Sequence, residues 1–291
     1  MNGAARVLVV YKRSALSLLG GSRRVRRLLA ARDPTVSRLV RSHRAHAATL
    51  ERVRIALDRL GVRATFRHRR EVGRTRGFDL IVTVGGDGTL LWVSHSLGDD
   101  VPVLSVNSAP GHSVGYFAGA VPANLERRIG AAVRGTLPVT RLARMRVAID
   151  GEEVERRVLN DVLFCHRSPA ATTRYFLRMK GELEEQKSSG VWVGPAAGST
   201  AAQRSAGGRV LPASSRHIQF VVREPCRPRG GRYRFHRGLV APGERFEILN
   251  KMTGGRLYVD GAEKVYSLAI GQVVSLSLSN EPLRLLGFRR G

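Results

Sequence analysis

The chain has 291 residues, of which 43% are hydrophobic and 25% charged, with a formal net charge of +26. This composition suits one large or two modest globular domains, and no run approaches the roughly 20 apolar residues of a membrane-spanning helix. The charge comes mostly from arginine, which raises the possibility of nucleic-acid binding. The arginines are spread from end to end without interleaved aromatic side chains, so we favour a generally basic surface over a nucleic-acid interface.

The N-terminus and the cysteines indicate a cytoplasmic protein. The first residues pass directly into an apolar run and lack the layout of a signal peptide. Cys165 and Cys226 lie far apart in the chain and form no pairing pattern, so free thiols are expected.

The first half of the chain alternates strand-like and helix-like segments. Such alternation predicts a parallel sheet covered by helices, with ligands at the carboxyl ends of its strands. Residues 12–40 fit this pattern poorly, because they are arginine-rich and interrupted by Gly20-Gly21 and Asp33-Pro34; a mobile arm and a helical excursion both stay open. The predicted strands are 6–11, 62–66, 78–84 and 101–106, and an amphipathic helix is predicted at 42–60.

The second half is rich in short β-like runs separated by turn signals such as Asp150-Gly151. We therefore predict an α/β domain over 1–138, an all-β, sandwich-like domain over 139–271, and a C-terminal segment, 272–291, that could pack back on the first domain. The predicted strands are 143–149, 154–164, 172–180, 191–193, 218–222, 246–249, 256–259 and 272–278.

One loop carries the clearest chemical signal. Gly85-Gly86-Asp87-Gly88-Thr89 stand between an apolar, β-branched run and a helix-like apolar run. Glycines let a phosphate approach main-chain N–H groups, and the helix N-terminus adds partial positive charge. The carboxylate of Asp87 could orient or deprotonate a hydroxyl group, or help to hold Mg²⁺. Asp also caps helices and such turns are common, so the loop alone leaves phosphoryl transfer and simple capping both open.

Two further clusters narrow the choice. They are Leu159-Asn160-Asp161-Val162 and the segment 188–208, which contains Gly198-Ser199-Thr200-Ala201 and Ser205-Ala206-Gly207-Gly208. In this order, after the glycine loop, they resemble the motifs of the NAD kinase family. The resemblance covers nearly the whole chain, from Val7 to about Leu285.

The resemblance implies phosphorylation of the adenosine-ribose 2′-hydroxyl of NADH or NAD⁺. It also implies ATP as donor, Mg²⁺ or a similar divalent ion, and a homodimer or higher homo-oligomer. Asp87 would be the catalytic residue, and Gly85, Gly86, Gly88 and Thr89 would form the phosphate loop. The dinucleotide would be bound by Asp87, Gly88, Asn160, Asp161, Ser189, Thr200, Ala201, Ala202 and Ser205. No protein ligand of a metal is assigned.

Three positions depart from the family pattern. Asp161 stands where the family has Glu, Ser189 stands where it has Asp, and Ala202 stands where it has Tyr. The stretches 188–190, 196–202 and 221–225, together with Asn107-Ser108, resemble the branch typified by the plant NADH kinases. In the family, the Asp replaced by Ser189 contacts the nicotinamide side of the dinucleotide. The oxidised nicotinamide ring is cationic and the reduced ring is neutral. An enzyme without this carboxylate should therefore accept NADH, or prefer NADH to NAD⁺.

Two histidines and one late aspartate receive no functional role. His43 and His46 are expected on a solvated helical face, and a hairpin turn is a sufficient explanation for Asp260. A lipid kinase of the diacylglycerol or sphingosine type would share the glycine loop. A non-catalytic nucleotide- or nucleic-acid-binding protein would instead use the basic surface. Both stay open as alternatives.

Overall fold

The computed structural model describes residues 5–73, 75–226 and 233–288. The chain forms two compact units. The first extends to Thr140 and also includes residues 284–288, whereas the second runs from Arg141 to Leu283. No helix in these described ranges is long and apolar enough to cross a membrane.

A six-stranded sheet forms the centre of the first unit. Its first three neighbouring pairs are parallel. The middle residues of the three inner strands of these pairs, Arg6–Tyr11, Leu80–Gly85 and Val103–Asn107, are buried on both faces, as expected for a sheet covered by helices. The C-terminal strand, Leu283–Leu286, is also parallel to its neighbour, Val103–Asn107. The sheet order is β2-β1-β3-β4, the C-terminal strand, then β5, with β1 (Arg6–Tyr11), β2 (Arg63–His68), β3 (Leu80–Gly85), β4 (Val103–Asn107) and β5 (Val139–Leu142).

Helices follow the strands of this unit. The longest buries Val53 and Leu57 completely in the core cluster that the sheet shares. It begins where the sequence pattern suggested an interruption: the Asp33 carboxylate accepts a hydrogen bond from the Thr35 N–H at 2.8 Å, and Pro34 occupies the first turn. The described part of residues 12–40 is therefore largely helical. The helices are α1 (Ala15–Leu19), α2 (Arg23–Ala30), α3 (Pro34–Arg59), α4 (Asp87–Ser94) and α5 (Leu125–Val133).

The second unit is a sandwich of two six-stranded sheets, with antiparallel pairing between neighbours. One core cluster joins them: Phe220 stacks on Phe246 at 4.4 Å between ring centroids, and Phe164 meets Tyr175 edge-on at 5.6 Å. The elements are β6 (Met145–Ile149), β7 (Glu152–Val158), β8 (Val162–His166), β9 (Thr173–Met179), β10 (Glu182–Ser188), β11 (Gly190–Pro195), α6 (Ala202–Ser205), β12 (Ile218–Arg223), β13 (Arg237–Val240), β14 (Arg245–Asn250), β15 (Gly255–Val259), β16 (Lys264–Leu268) and β17 (Val273–Leu278). The C-terminal strand of the first sheet, Leu283–Leu286, is β18.

The predicted fold class, an α/β domain followed by an all-β, sandwich-like domain, is confirmed. The run 154–164, predicted as one strand, is two strands in different sheets, because the chain leaves β7 at Leu159 and enters β8 at Val162. The C-terminal segment was expected to start at residue 272, whereas the part of it that belongs to the first unit begins at Arg284. The residues before it include β17, which pairs with β14 and β6 inside the sandwich.

Candidate active site

Some of the predicted site residues lie in the first unit and the others lie in the second. In the first unit, β3 ends at Gly85 and α4 begins at Asp87, so the glycine loop is a tight strand-to-helix turn. A Cβ on Gly85 would overlap the Thr89 side chain, so only glycine fits there. The Thr89 hydroxyl is buried and has no hydrogen-bond partner among the described residues.

The Asp87 carboxylate is fixed by the segment that follows β4. Its Oδ2 atom accepts a hydrogen bond from the Tyr116 N–H at 2.9 Å, and its Oδ1 atom accepts one from the Phe117 N–H at 3.0 Å. Asp87 is the first residue of α4, whose N-cap is Gly86. The carboxylate therefore does not cap its own helix. Each oxygen keeps a further lone pair with which it could accept a ligand's proton.

The end of β4 braces the glycine loop. The Ser108 N–H donates to the Gly85 carbonyl oxygen at 2.9 Å. Beside it, the Asn107 Oδ1 atom accepts hydrogen bonds from the Ser113 hydroxyl at 2.6 Å and the Ala109 N–H at 3.2 Å. These bonds fix the path of the chain toward Tyr116, which holds Asp87.

His46 ties this region to α3. Its Nδ1 atom lies 2.8 Å from the Ser108 Oγ atom, and its Nε2 atom lies 2.9 Å from the Lys12 carbonyl oxygen. A carbonyl only accepts, so Nε2 carries the hydrogen, and Nδ1 of the neutral ring accepts from Ser108. Burial is the main cause that lowers the pKa of His46, which favours this neutral form. Thr49, one turn later, donates to the Ser108 carbonyl oxygen at 2.9 Å.

The prediction that His46 lies on a solvated face is wrong, because its side chain is only 5% exposed. Its helical spacing with the buried residues Thr49 and Val53 was the signal in the sequence that could have placed it inside. His43 is half-buried, and its Nδ1 atom lies 2.7 Å from the Ser14 hydroxyl.

In the second unit, Asn160 and Asp161 form the link between β7 and β8. The carboxylate of Asp260, which follows β15, accepts hydrogen bonds from three successive main-chain N–H groups: Leu159 at 2.9 Å, Asn160 at 2.7 Å and Asp161 at 3.0 Å. A hairpin turn is therefore not a sufficient explanation for Asp260. Its side chain sets the main-chain course of the Asn160-Asp161 link, a role that sequence reasoning missed.

Asp161 is a buried acid, only 4% exposed. Burial, followed by the neighbouring charge of Asp260, raises its pKa from 3.8 to about 7. Its Oδ2 atom accepts a hydrogen bond from the Asn160 side-chain amide at 2.9 Å. Near neutral pH, therefore, this carboxyl group exists in both protonated and ionised forms.

The segment 196–205 packs against this link. It consists of a 3₁₀ turn, Ala196–Thr200, followed by α6. A Cβ on Gly198 would overlap the Asn160 carbonyl group, so the small residue lets the two segments meet. Thr200, Ala201 and Ala202 are half-buried, and Ser205 is exposed. The structure thus brings Asn160 and Asp161 close to the segment that is predicted to bind the same dinucleotide.

A cavity of about 320 Å³ opens beside Ser189. Its lining includes two cationic side chains, Arg167 and Arg223, and the carboxylate of Glu224. Ser189 itself follows β10, and its N–H donates to the Arg223 carbonyl oxygen at 3.0 Å. Cys165 also lines the cavity, and burial raises the pKa of its thiol. Among the residues that the structure describes, no group of three or more His, Cys, Asp or Glu side chains could hold a metal ion.

Comparison with known proteins assigns the family. Residues 7–136 match the family model described as the ATP-NAD kinase N-terminal domain. The chain is 35% identical over 226 residues to a protein of Oryza sativa subsp. japonica named "Probable NADH kinase", covering 70% of this chain and 69% of that one. It is 33% identical over 224 residues to the NADH kinase of Arabidopsis thaliana, covering 69% and 70%.

Solved structures show the same fold. An NAD kinase from Archaeoglobus fulgidus in complex with ATP matches with a TM-score of 0.69 at 23% identity, over 96% of this chain and 92% of that one. The yeast NADH kinase complexed with NADH matches with a TM-score of 0.68 at 15% identity, over 98% and 84%. The predicted resemblance is confirmed: this chain belongs to the NAD kinase family, whose members use ATP to phosphorylate NAD(H).

Proposed function

We propose that the chain transfers the γ-phosphoryl group of ATP to the adenosine-ribose 2′-hydroxyl of NAD(H), with NADH as the preferred acceptor and Asp87 as the catalytic residue. The observation that carries this proposal is the Asp87 carboxylate, held by two main-chain N–H groups at the end of the glycine loop. Family membership decides against the lipid-kinase alternative.

Asp87 would act on the acceptor hydroxyl. Its carboxylate is oriented before substrate arrives, so it could hold the ribose 2′-hydroxyl in line with the γ-phosphorus. The hydroxyl oxygen forms the new bond to phosphorus while the bond to the ADP oxygen breaks. The hydroxyl proton passes to the carboxylate late in the transfer.

The glycine loop would receive the donor phosphates. The open surroundings of Gly88 leave the start of α4 accessible, and the helix N-terminus favours negative charge. Mg²⁺ fits such a site, because it is commonly bound by one or two carboxylates together with substrate phosphates, and Asp87 supplies one carboxylate. When bound, it would neutralise charge on the phosphates.

The dinucleotide would be bound by the second unit. The Asn160 amide offers both a donor and an acceptor to the adenine edge, and Asp161 suits ribose hydroxyls. Thr200, Ala201, Ala202 and Ser205 would leave room for the flat base and supply hydroxyl groups. The hydrogen bonds from Asn160 and Asp161 to Asp260 support this role, because they hold the link in one conformation.

The preference for NADH rests on the cavity beside Ser189. Arg167 and Arg223 line it together with one carboxylate, that of Glu224, so cationic side chains outnumber anionic ones, and Ser189 stands where the family pattern has a carboxylate. Cationic side chains disfavour the cationic ring of NAD⁺ and leave the neutral ring of NADH unaffected. The names of the two plant relatives agree with this assignment.

The test measures kcat/KM for NADH and NAD⁺ with ATP and Mg²⁺ in the wild type, Asp87→Asn and Ser189→Asp. We expect a higher value for NADH, loss of both activities in Asp87→Asn, and a ratio shifted toward NAD⁺ in Ser189→Asp. Ser267→Asp, which adds the same charge at an exposed position of the second unit that has no proposed role in binding, shows whether the shift belongs to the cavity. An unchanged ratio in Ser189→Asp would refute the argument about the cavity, and activity retained by Asp87→Asn would refute the catalytic assignment.

We further propose that the protein acts in the cytoplasm as a homodimer or larger homo-oligomer. Support for the assembly comes from the family resemblance, and support for the compartment comes from Cys165 and Cys226, which form no pairing pattern, as expected of thiols in a reducing compartment. Sedimentation of the purified protein tests the assembly.

A further inference from the structure

Two cationic residues stand at the carboxyl edge of the first sheet, beside the glycine loop. In the parallel pairing of β1 with β3, Tyr11 lies opposite Val84, so Lys12 follows β1 where Gly85 ends β3. In the pairing of β1 with β2, Tyr11 lies opposite His68, so Arg69 follows β2 at the same edge. Neither residue has a role predicted from the sequence.

The Lys12 main chain is anchored there. Its carbonyl oxygen accepts the hydrogen bond from His46 Nε2, and His46 is bonded through Ser108 to the chain beside Gly85. Lys12 therefore leaves β1 in a fixed direction relative to the glycine loop. The Arg69 guanidinium lies 5.1 Å from the centroid of the Trp92 ring, in the helix that starts from that loop.

The Lys12 ammonium group is poorly compensated. It is half-buried, and within the described part of the chain no carboxylate forms an ion pair with it. Burial and the charge of Arg69 both lower the pKa of Lys12. A half-buried cation beside a second cation is unfavourable by itself, and an anion placed between them would relieve both the desolvation and the repulsion.

We propose that Lys12, with Arg69 beside it, binds the β- and γ-phosphates of the donor triphosphate at the Gly85–Thr89 loop. Lys12 is thus a donor-binding residue. This inference rests on the proposed function for its choice of anion. A compact ammonium group on a flexible stem suits a polyphosphate, which offers charge at several oxygen atoms.

The experiment compares Lys12→Gln with Lys12→Arg, which keeps the charge, and with Lys180→Gln, which removes an exposed lysine that pairs with Glu244. Lys12→Gln should raise the KM for ATP about tenfold or more and leave the KM for NADH within about twofold. Lys12→Arg should recover most of the loss, and Lys180→Gln should resemble the wild type. An equal rise of both KM values, or a rise for NADH alone, would overturn the assignment to the donor.

Binding without turnover separates this inference from the proposed function. Calorimetry with adenylyl imidodiphosphate and with AMP, both with Mg²⁺, should show that Lys12→Gln weakens the triphosphate analogue about tenfold and AMP little. If the wild type makes no NADP(H) but shows this pattern, the proposed function fails and the phosphate site stands. If the wild type is active and a folded Lys12→Gln binds the analogue as tightly as the wild type, the inference fails and the function stands.

Discussion

The replacement Asp161→Asn should stabilise the second unit in a pH-dependent manner. The buried carboxyl group has a pKa raised from 3.8 to about 7, so the folded chain holds a proton that the unfolded chain releases. Below about pH 4 both states are protonated and the acid costs nothing. As the pH rises from about 4 to about 7, the unfolded chain releases a proton that the folded chain retains, so the favourable contribution of the protonated acid is progressively lost. Above about pH 7 the folded unit carries a buried negative charge beside Asp260, and the contribution no longer changes.

The size of the effect follows from the two pKa values. A rise from 3.8 to about 7 corresponds to roughly 4 kcal/mol, at about 1.4 kcal/mol for each tenfold change in proton affinity. Asparagine has the same shape without the charge, and its side-chain oxygen can still accept the hydrogen bond from Asn160. The gain in free energy of unfolding should therefore be near zero at pH 4 and approach a few kcal/mol at pH 8.

The assay is urea unfolding from pH 4 to pH 8.5 in a Trp92→Phe background. The chain has two tryptophans, one in each unit, so this background leaves Trp192 to report the second unit alone. Glu152→Gln removes an exposed carboxylate from β7 and serves as the matched control. A difference between Asp161→Asn and the wild type that stays constant across this pH range would refute the reasoning.

Two further predictions concern the side chains that hold the site from a distance. His46→Phe should lower the free energy of unfolding of the first unit by about 1–3 kcal/mol, because it leaves the Lys12 carbonyl without this partner and leaves the Ser108 hydroxyl with the longer bond to the Gly85 carbonyl oxygen, at 3.4 Å. Because the pKa of His46 is lowered, the free energy of unfolding of the wild type should also fall as the pH drops below about 6.5. The variant should not show this fall, and Trp92 fluorescence in a Trp192→Phe background measures it. Asp260→Asn should raise the KM for NADH at least several-fold and leave the KM for ATP unchanged. The reason is that three main-chain N–H groups at the Asn160-Asp161 link lose a charged acceptor. Equal effects on both KM values would contradict this prediction.

The sequence predicted those parts of the fold that depend on local patterns. The strand Arg6–Tyr11 has the predicted bounds, because an apolar run of this length can be recognised from the sequence alone. The sequence left residues 12–40 open between a mobile arm and a helical excursion, because the pair Asp33-Pro34, which interrupts one helix, also caps and begins another. The strand Glu182–Ser188 was missed because it lies at a sheet edge and carries charged residues on its exposed face, so its pattern is not apolar.

The site was predictable where its residues are neighbours in the chain and unpredictable where they are not. The glycine loop and the Asn160-Asp161 link are short motifs that can be seen directly. The bond between His46 and Ser108 spans 62 residues, and the bond between Asp260 and Asn160 spans 100. Neither partner has a local feature that reveals the other. The helical spacing of His46 with Thr49 and Val53 could have shown that His46 is buried, but not that Ser108 is its partner, and Asp260 was interpreted as a turn residue.

The two units share one structural solution to the same physical problem. A loop that binds a ligand must expose polar atoms, and an exposed loop is ordinarily mobile. In each unit, a polar side chain from a distant element bonds to the chain at or beside the functional loop: His46 to Lys12 and Ser108, and Asp260 to the Asn160-Asp161 link. The ordering cost is then met during folding and not when substrate binds. Substitutions at these two anchors should therefore weaken substrate binding even though neither side chain is proposed to touch substrate.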